Sequence, residues 1–297
     1  MPTRRHLLAL GPLAMLAGCA APWPRGVDDA PSASAAARLR ESAHAHGAQA
    51  LSGLHDINLA FDGEWGTGIQ RIQPALVDEG FRKTSEERLL PALGVMAQRH
   101  RGPQGRKQVL RQWQPGQTGT VRLAYNGQPD STDTDLRDAA AVVCDAYRIF
   151  VLGPMVLANR EPDALNAHWG EPTEVDGQLC DVVHLQLRPG LGFAAQDRLA
   201  LYISRSSQLM RRVRFSINAL PSTAGAVVEV DLGQHLARHG VLWPTHYVER
   251  LIRPIPNFHV HAWRLTGLDV NRGYGPEALA GPAWAPEAER PAAPLQR

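Results

Sequence analysis

The chain has 297 residues, 44% of them hydrophobic and 20% charged, with a formal net charge of +2. That hydrophobic content is globular, and so small a charge does not imply an electrostatic partner; no nucleic acid is expected. Basic side chains are almost all arginine, with only Lys83 and Lys107 as lysines, and they are spread along the chain instead of clustering on one face.

The chain opens with Arg4-Arg5-His6, an apolar run from Leu7 to Ala17, and then Leu16-Ala17-Gly18-Cys19. Charge, apolar run, small residues and then Cys is the order of a bacterial lipoprotein export signal. Such a signal implies cleavage before Cys19 and acylation of that residue, with residues 1–18 removed. The apolar run is about eleven residues, whereas a membrane span needs roughly twenty. Residue 20 is Ala, not the Asp that retains many such proteins at the inner membrane, so the expected address is the periplasmic face of the outer membrane. An ordinary secretory signal remains an alternative, and Thr3-Arg4-Arg5-His6-Leu7-Leu8 leaves twin-arginine export open.

Residues 19–34, rich in Pro, Ala and Ser, read as the acylated cysteine and a flexible tether. Residues 35–51 have helix-forming composition, with Leu39, Ala43, His46 and Ala50 near one face and Gly47 weakening it. Short strands follow. Leu54 to Phe61 mostly alternates before Asp62-Gly63 offers a turn, and residues 109–113 and 121–125 supply two more strands. Residues 135–157 break the pattern: they are apolar around most of a helix, capped by Asp133 or Thr134 and ended by Gly153-Pro154. Such a helix must be buried on more than one side, which a sheet curled around it provides. The second half is a run of strands separated by short polar turns, the pattern of an antiparallel meander. Within it Arg212 and Arg214 share a face expected to be solvated. From residue 275 to 297, repeated Pro and Ala predict an extended, mobile tail. Residues 35–274 then form a single domain.

Val175-Asp176-Gly177 opens a strand through Asp181-Val182-Val183-His184-Leu185. Leu199-Ala200-Leu201-Tyr202-Ile203 leads into a turn and Leu209-Met210-Arg211-Arg212-Val213. Val228-Glu229-Val230 follows, and Gly240-Val241-Leu242-Trp243-Pro244-Thr245 precedes another strand. Between Val175 and Asp269 this order resembles the outer-membrane lipoprotein-sorting carriers and receptors and their superfamily. The resemblance implies an α+β fold: a curved antiparallel sheet, a half-open barrel, wrapping helices on its concave face and holding an acyl chain or other apolar ligand. It also implies an exposed apolar loop in the first half, for which Leu89-Leu90-Pro91 is the candidate.

Zinc-protease, nucleophile-elbow, phosphate-loop and Cys-x-x-Cys motifs are missing, so no catalytic residue, metal or cofactor is assigned and no enzyme is expected. His259 and His261 share a strand face on two-residue spacing and are read as half-exposed histidines before metal ligands; His44 and His46 diverge on a helix. Cys144 and Cys180 are read as buried hydrophobes, with a disulfide as the alternative. Phe61, Tyr125, Tyr147, Phe150, Tyr202, Phe215 and Trp243 fall in strands or in the buried helix. They are candidates to line a lipid pocket, although a solid core would use the same residues. The expected protein is lipid-anchored at the membrane through Cys19 and binds an apolar ligand. A structural lipoprotein with an envelope protein partner is the alternative, and an envelope hydrolase with a dispersed site is a third.

Overall fold

The computed structural model describes residues 23, 31–114, 116–128, 131–159, 166–280 and 291–295. The export signal and Cys19 lie outside the described residues. No described helix is long and apolar enough to cross a membrane.

Helix α1 (Ala33–His46) starts where the Ser32 hydroxyl accepts from the Ala35 amide at 3.3 Å. Its buried positions Ala35, Arg38, Leu39, Ser42, Ala43 and His46 follow the three- and four-residue spacing of one helix face. Gly47 then takes φ of 99°, and a side chain there would meet the Gly240 carbonyl oxygen at 2.3 Å. The chain breaks into a one-turn α2 (Ala48–Leu51), so the single expected helix is two.

Five strands form a first meander: β1 (Ile57–Trp65), β2 (Thr84–Leu90), β3 (Val95–Gly102), β4 (Gly105–Gln114) and β5 (Gln117–Tyr125). Between β1 and β2 lie two single-turn helices, α3 (Ile69–Ile72) and α4 (Pro74–Val77). Next come the long α5 (Thr134–Leu152) and α6 (Pro154–Leu157). The second meander has β6 (His168–Val175), β7 (Gln178–Leu187), β8 (Asp197–Ser204), β9 (Met210–Ile217) and β10 (Ala226–Gly233). A small hairpin, β11 (Leu236–Arg238) with β12 (Val241–Trp243), precedes β13 (His246–Arg253) and β14 (Phe258–Val270). A short α7 (Pro276–Ala280) follows.

Twelve of these strands make one sheet in the order β5-β4-β3-β2-β1-β14-β13-β10-β9-β8-β7-β6, antiparallel throughout. The two meanders join where β1 pairs with β14, and β5 and β6 are its two edges. The sheet does not close, so the fold is an α+β half-open barrel. Its curvature is read from α5, which both halves of the sheet reach. Arg111 of β4 and the Gly192 amide, in the β7–β8 loop, both bind the Asp145 carboxylate of α5, at 2.9 and 2.6 Å. Asp133 caps α5 by accepting from the Leu136 amide at 3.0 Å, and Gly153 with Pro154 ends it. Buried residues run all round α5, from Ala139 to Leu152.

Several local expectations are corrected. Asp62-Gly63 is not a turn but the middle of β1, where Gly63 lets β14 approach: a side chain would meet Trp263 and His261 at 2.7 Å. Leu89 and Leu90 are buried in β2 and cannot be an exposed loop; Leu93, in the following turn, is the exposed residue at 54%. Arg212 and Arg214 are not freely solvated: they pair with Glu229 of β10, which is 4% exposed, across the outer face. Part of the tail is ordered against the sheet, with Leu279 of α7 fully buried and the Leu295 amide donating to the Thr266 carbonyl. Cys144 and Cys180, by contrast, are the buried hydrophobes expected and not the alternative disulfide: both are free and lie in different clusters of the core.

Candidate ligand-binding cavity

The concave face is floored by alternate residues of the strands, because side chains two apart share a face. In the middle of the floor aromatic rings interlock with α5. Tyr147 stacks on Trp263 at 5.4 Å, and Phe150 meets Phe215 at 5.6 Å and Trp263 at 5.7 Å. Behind them Tyr247 stacks on Trp263 at 4.9 Å. Between α5, the α3–α4 pair and strands β9, β10, β13 and β14 this packing leaves a cavity of about 220 Å³. Ile69, Leu76 and Val77 form one wall, Val142, Ala146, Tyr147 and Phe150 a second, and Phe215, Val228, Leu251 and Val260 the floor.

Arg82 and Glu249 are the charged groups in a mostly apolar lining, to which Gln73, Ser222 and Thr223 add neutral polar side chains. Arg82 lies between the rings of Trp65 and Tyr147, its guanidinium 4.9 and 5.9 Å from their centroids. It donates to the Leu76 and Val77 carbonyls, which fastens α4 to the start of β2. Glu249 has its carboxyl pushed up to about 7 by burial, against the lowering influence of Arg82. Arg82 and Tyr147 also border a recess of about 10 Å³ that reaches Ser85, His100, His261 and Trp263. His100 and His261 are held well below the usual histidine range, first by burial and then by the Arg82 charge, so both are neutral at physiological pH.

A second cavity, of about 570 Å³, opens on the other side of α5 between the β4–β5 turn and the β7–β8 loop. Its buried charged pair, Arg111 with Asp145, is already committed. Arg111 holds Asp145 through two bonds of 2.9 Å and also donates to the Gly192 and Thr120 carbonyls. The Trp113 indole donates to the same carboxylate. These contacts lock sheet to helix, so the smaller, apolar cavity is the better ligand site.

The structure places three of the seven candidate aromatics, Tyr147, Phe150 and Phe215, on that cavity. Phe61 lies behind it, edge-on to Tyr147 and Tyr247 at 6.1 and 6.0 Å. Tyr125 lies apart on Phe81 and donates to Asp78 at 2.8 Å. Tyr202 belongs to a separate cluster with Val175, Cys180, Val182 and Ala200, under Arg212 and Arg214. Trp243 is buried, its indole donating to the Arg238 carbonyl. His259 is exposed while His261 is buried and stacked on Trp65 at 3.9 Å, because a bulge in the β13–β14 pairing breaks the alternation between them. The sequence reading missed Arg82, Glu249, Trp263 and the α3–α4 wall. Glu249 had a signal: it is the lone carboxylate between Tyr247 and Leu251 on one strand face. Arg82 had none, since a charged loop residue is ordinarily solvated.

No family profile and no curated protein matches the sequence. Solved structures do resemble the fold. A DUF1329 family protein from Desulfovibrio piger aligns with a TM-score of 0.51 at 10% identity, over 84% of this chain and 97% of that one. A domain described as an outer membrane lipoprotein-sorting protein from Vibrio parahaemolyticus aligns at 0.43 and 9% identity, over 82% and 94%. A LolA superfamily protein from Nitrosomonas europaea aligns at 0.39 and 10% identity, over 82% and 95%. At such identities the likeness is one of fold.

Proposed function

We propose that this chain is a lipid-anchored periplasmic protein that holds an apolar ligand, such as an acyl chain, between α5 and the concave face of its sheet. The observation that carries the reading is the apolar cavity of about 220 Å³, walled by Ala146, Tyr147, Phe150 and Phe215. Burying hydrocarbon there contributes about 25 cal/mol per Å² of apolar surface, with no covalent step required. The signal ending in Cys19 supports an acylated anchor, and Ala20 after it supports the periplasmic face of the outer membrane. Two or more acyl chains on Cys19 hold the body at the membrane stably, where one chain holds it only weakly. A role in moving lipids or lipoproteins through the envelope follows from a removable ligand in a tethered carrier.

Native mass spectrometry of the full-length protein extracted from its own membranes tests this. The protein is expected to carry a lipid-sized passenger and, once stripped, to take up the neutral probe N-phenyl-1-naphthylamine. Ala146→Leu fills the cavity wall and is expected to weaken probe binding at least tenfold while the unfolding midpoint is unchanged. An interior that is empty on extraction and refuses the probe overturns the reading.

A further inference from the structure

Arg82 is 6% exposed, yet it takes part in none of the ion pairs among the described residues. Its Nη1 donates to two backbone carbonyls, and its Nε has no hydrogen-bond partner there. A buried guanidinium without a counter-charge is costly, and proteins ordinarily pair it. The same guanidinium walls both the apolar cavity and the polar recess behind it. Other polar atoms of residues bordering the recess are also buried without a hydrogen-bond partner among the described residues: His100 Nε2, His261 Nδ1 and Trp263 Nε1.

We infer that the ligand is an anionic single-chain amphiphile, with its carboxylate or similar head on Arg82 and its hydrocarbon tail in the cavity beneath α5. This rests on the cavity reading proposed above and adds the chemistry of the head group. An Arg fork suits a two-oxygen anion, and the aromatic planes of Trp65 and Tyr147 hold it in place. Neither neighbouring carboxyl fully supplies the missing charge. Neither forms an ion pair with Arg82 among the described residues, and burial raises both, Glu249 to about 7 and Glu87 to about 8, which favours their protonated forms. Lys107, the other buried cation of this region, is already paired with Asp78 at 2.7 Å. The cavity is smaller than the usual range of roughly 300–1,000 Å³ for ligand pockets, which points to a short or medium tail.

The test compares decanoate with decanol, which share a tail and differ in head charge, by titration calorimetry on stripped full-length protein below the micellar range. Decanoate is expected to bind at least tenfold more tightly than decanol. Arg82→Lys should keep that preference and Arg82→Gln should abolish it. Equal binding, or tighter binding of decanol, overturns the inference, leaves the apolar cavity standing, and makes Arg82 only a staple for α4. Failure of both ligands to bind overturns the cavity reading itself, and this inference with it. Should Arg82→Gln not fold, the wild-type ratio alone decides.

Discussion

Glu87 shows what one side chain does in this interior. It is fully buried in β2, and its carboxyl is pushed up to about 8, mainly by burial. Gln98 and Ser85 donate to one oxygen and oppose the shift, while the other oxygen has no partner among the described residues. Unfolded, the group titrates near 4.5. Between that value and about 8 the folded state binds more protons, so this group's contribution to stability is complete below about 4.5 and is lost as pH rises through about 8. Glu87→Gln mimics the protonated form and should remove that loss. In urea unfolding at pH 5, 7 and 9, the variant should gain on wild type at each step upward. His46, His100 and His261 are buried with depressed values and titrate in the opposite sense, but they are common to both proteins and cancel in the difference. A difference that stays constant with pH would refute the assignment. In the sequence Glu87 is simply the second of two adjacent carboxylates, and its burial depends on which strand face meets α5.

At the scale of elements, α5 is the part most legible in the chain and the part whose fastening was least so. Its run of Ala, Val, Ile and Leu, its cap at Asp133 and its end at Gly153-Pro154 are all local signals. In the sequence Asp145 is one internal charge beside Arg137, Asp138 and Arg148. Folding puts it against Arg111, 1% exposed, with Trp113 and the Gly192 amide on the same carboxylate. Removing one partner of such a pair leaves a buried charge uncompensated, at about 3–5 kcal/mol. Asp145→Ala is therefore expected to lose that much in urea unfolding, and a loss below about 1 kcal/mol would mean that the helix is held by packing alone. The strands divide in the same way. Alternation in β8 and β9 was readable, and so was the entry to β13 through Trp243-Pro244-Thr245. Asp62-Gly63 was misread because a glycine that admits a neighbouring strand looks the same in sequence as one that makes a turn.

For the whole molecule, anchoring and ligand binding are separable. Cys19→Ser should move the protein from the membrane pellet to the soluble fraction after cell fractionation, while the released protein still takes up the apolar probe. Retention in the pellet would count against acylation at Cys19. The sequence alone was enough to read the antiparallel meander and the buried central helix, because these rest on periodicity and composition, while the half-open barrel was what the resemblance between Val175 and Asp269 implied. Tertiary structure decided where the cavity lies, which three of the seven aromatics wall it, and that Arg82 and Glu249 face it. It also decided that Leu279 and Leu295 pack back on the body and that Cys144 and Cys180 stay apart. The physical reason is the curl of the sheet. A cavity is the space left between elements far apart in sequence, and no local pattern records how closely their side chains fill it.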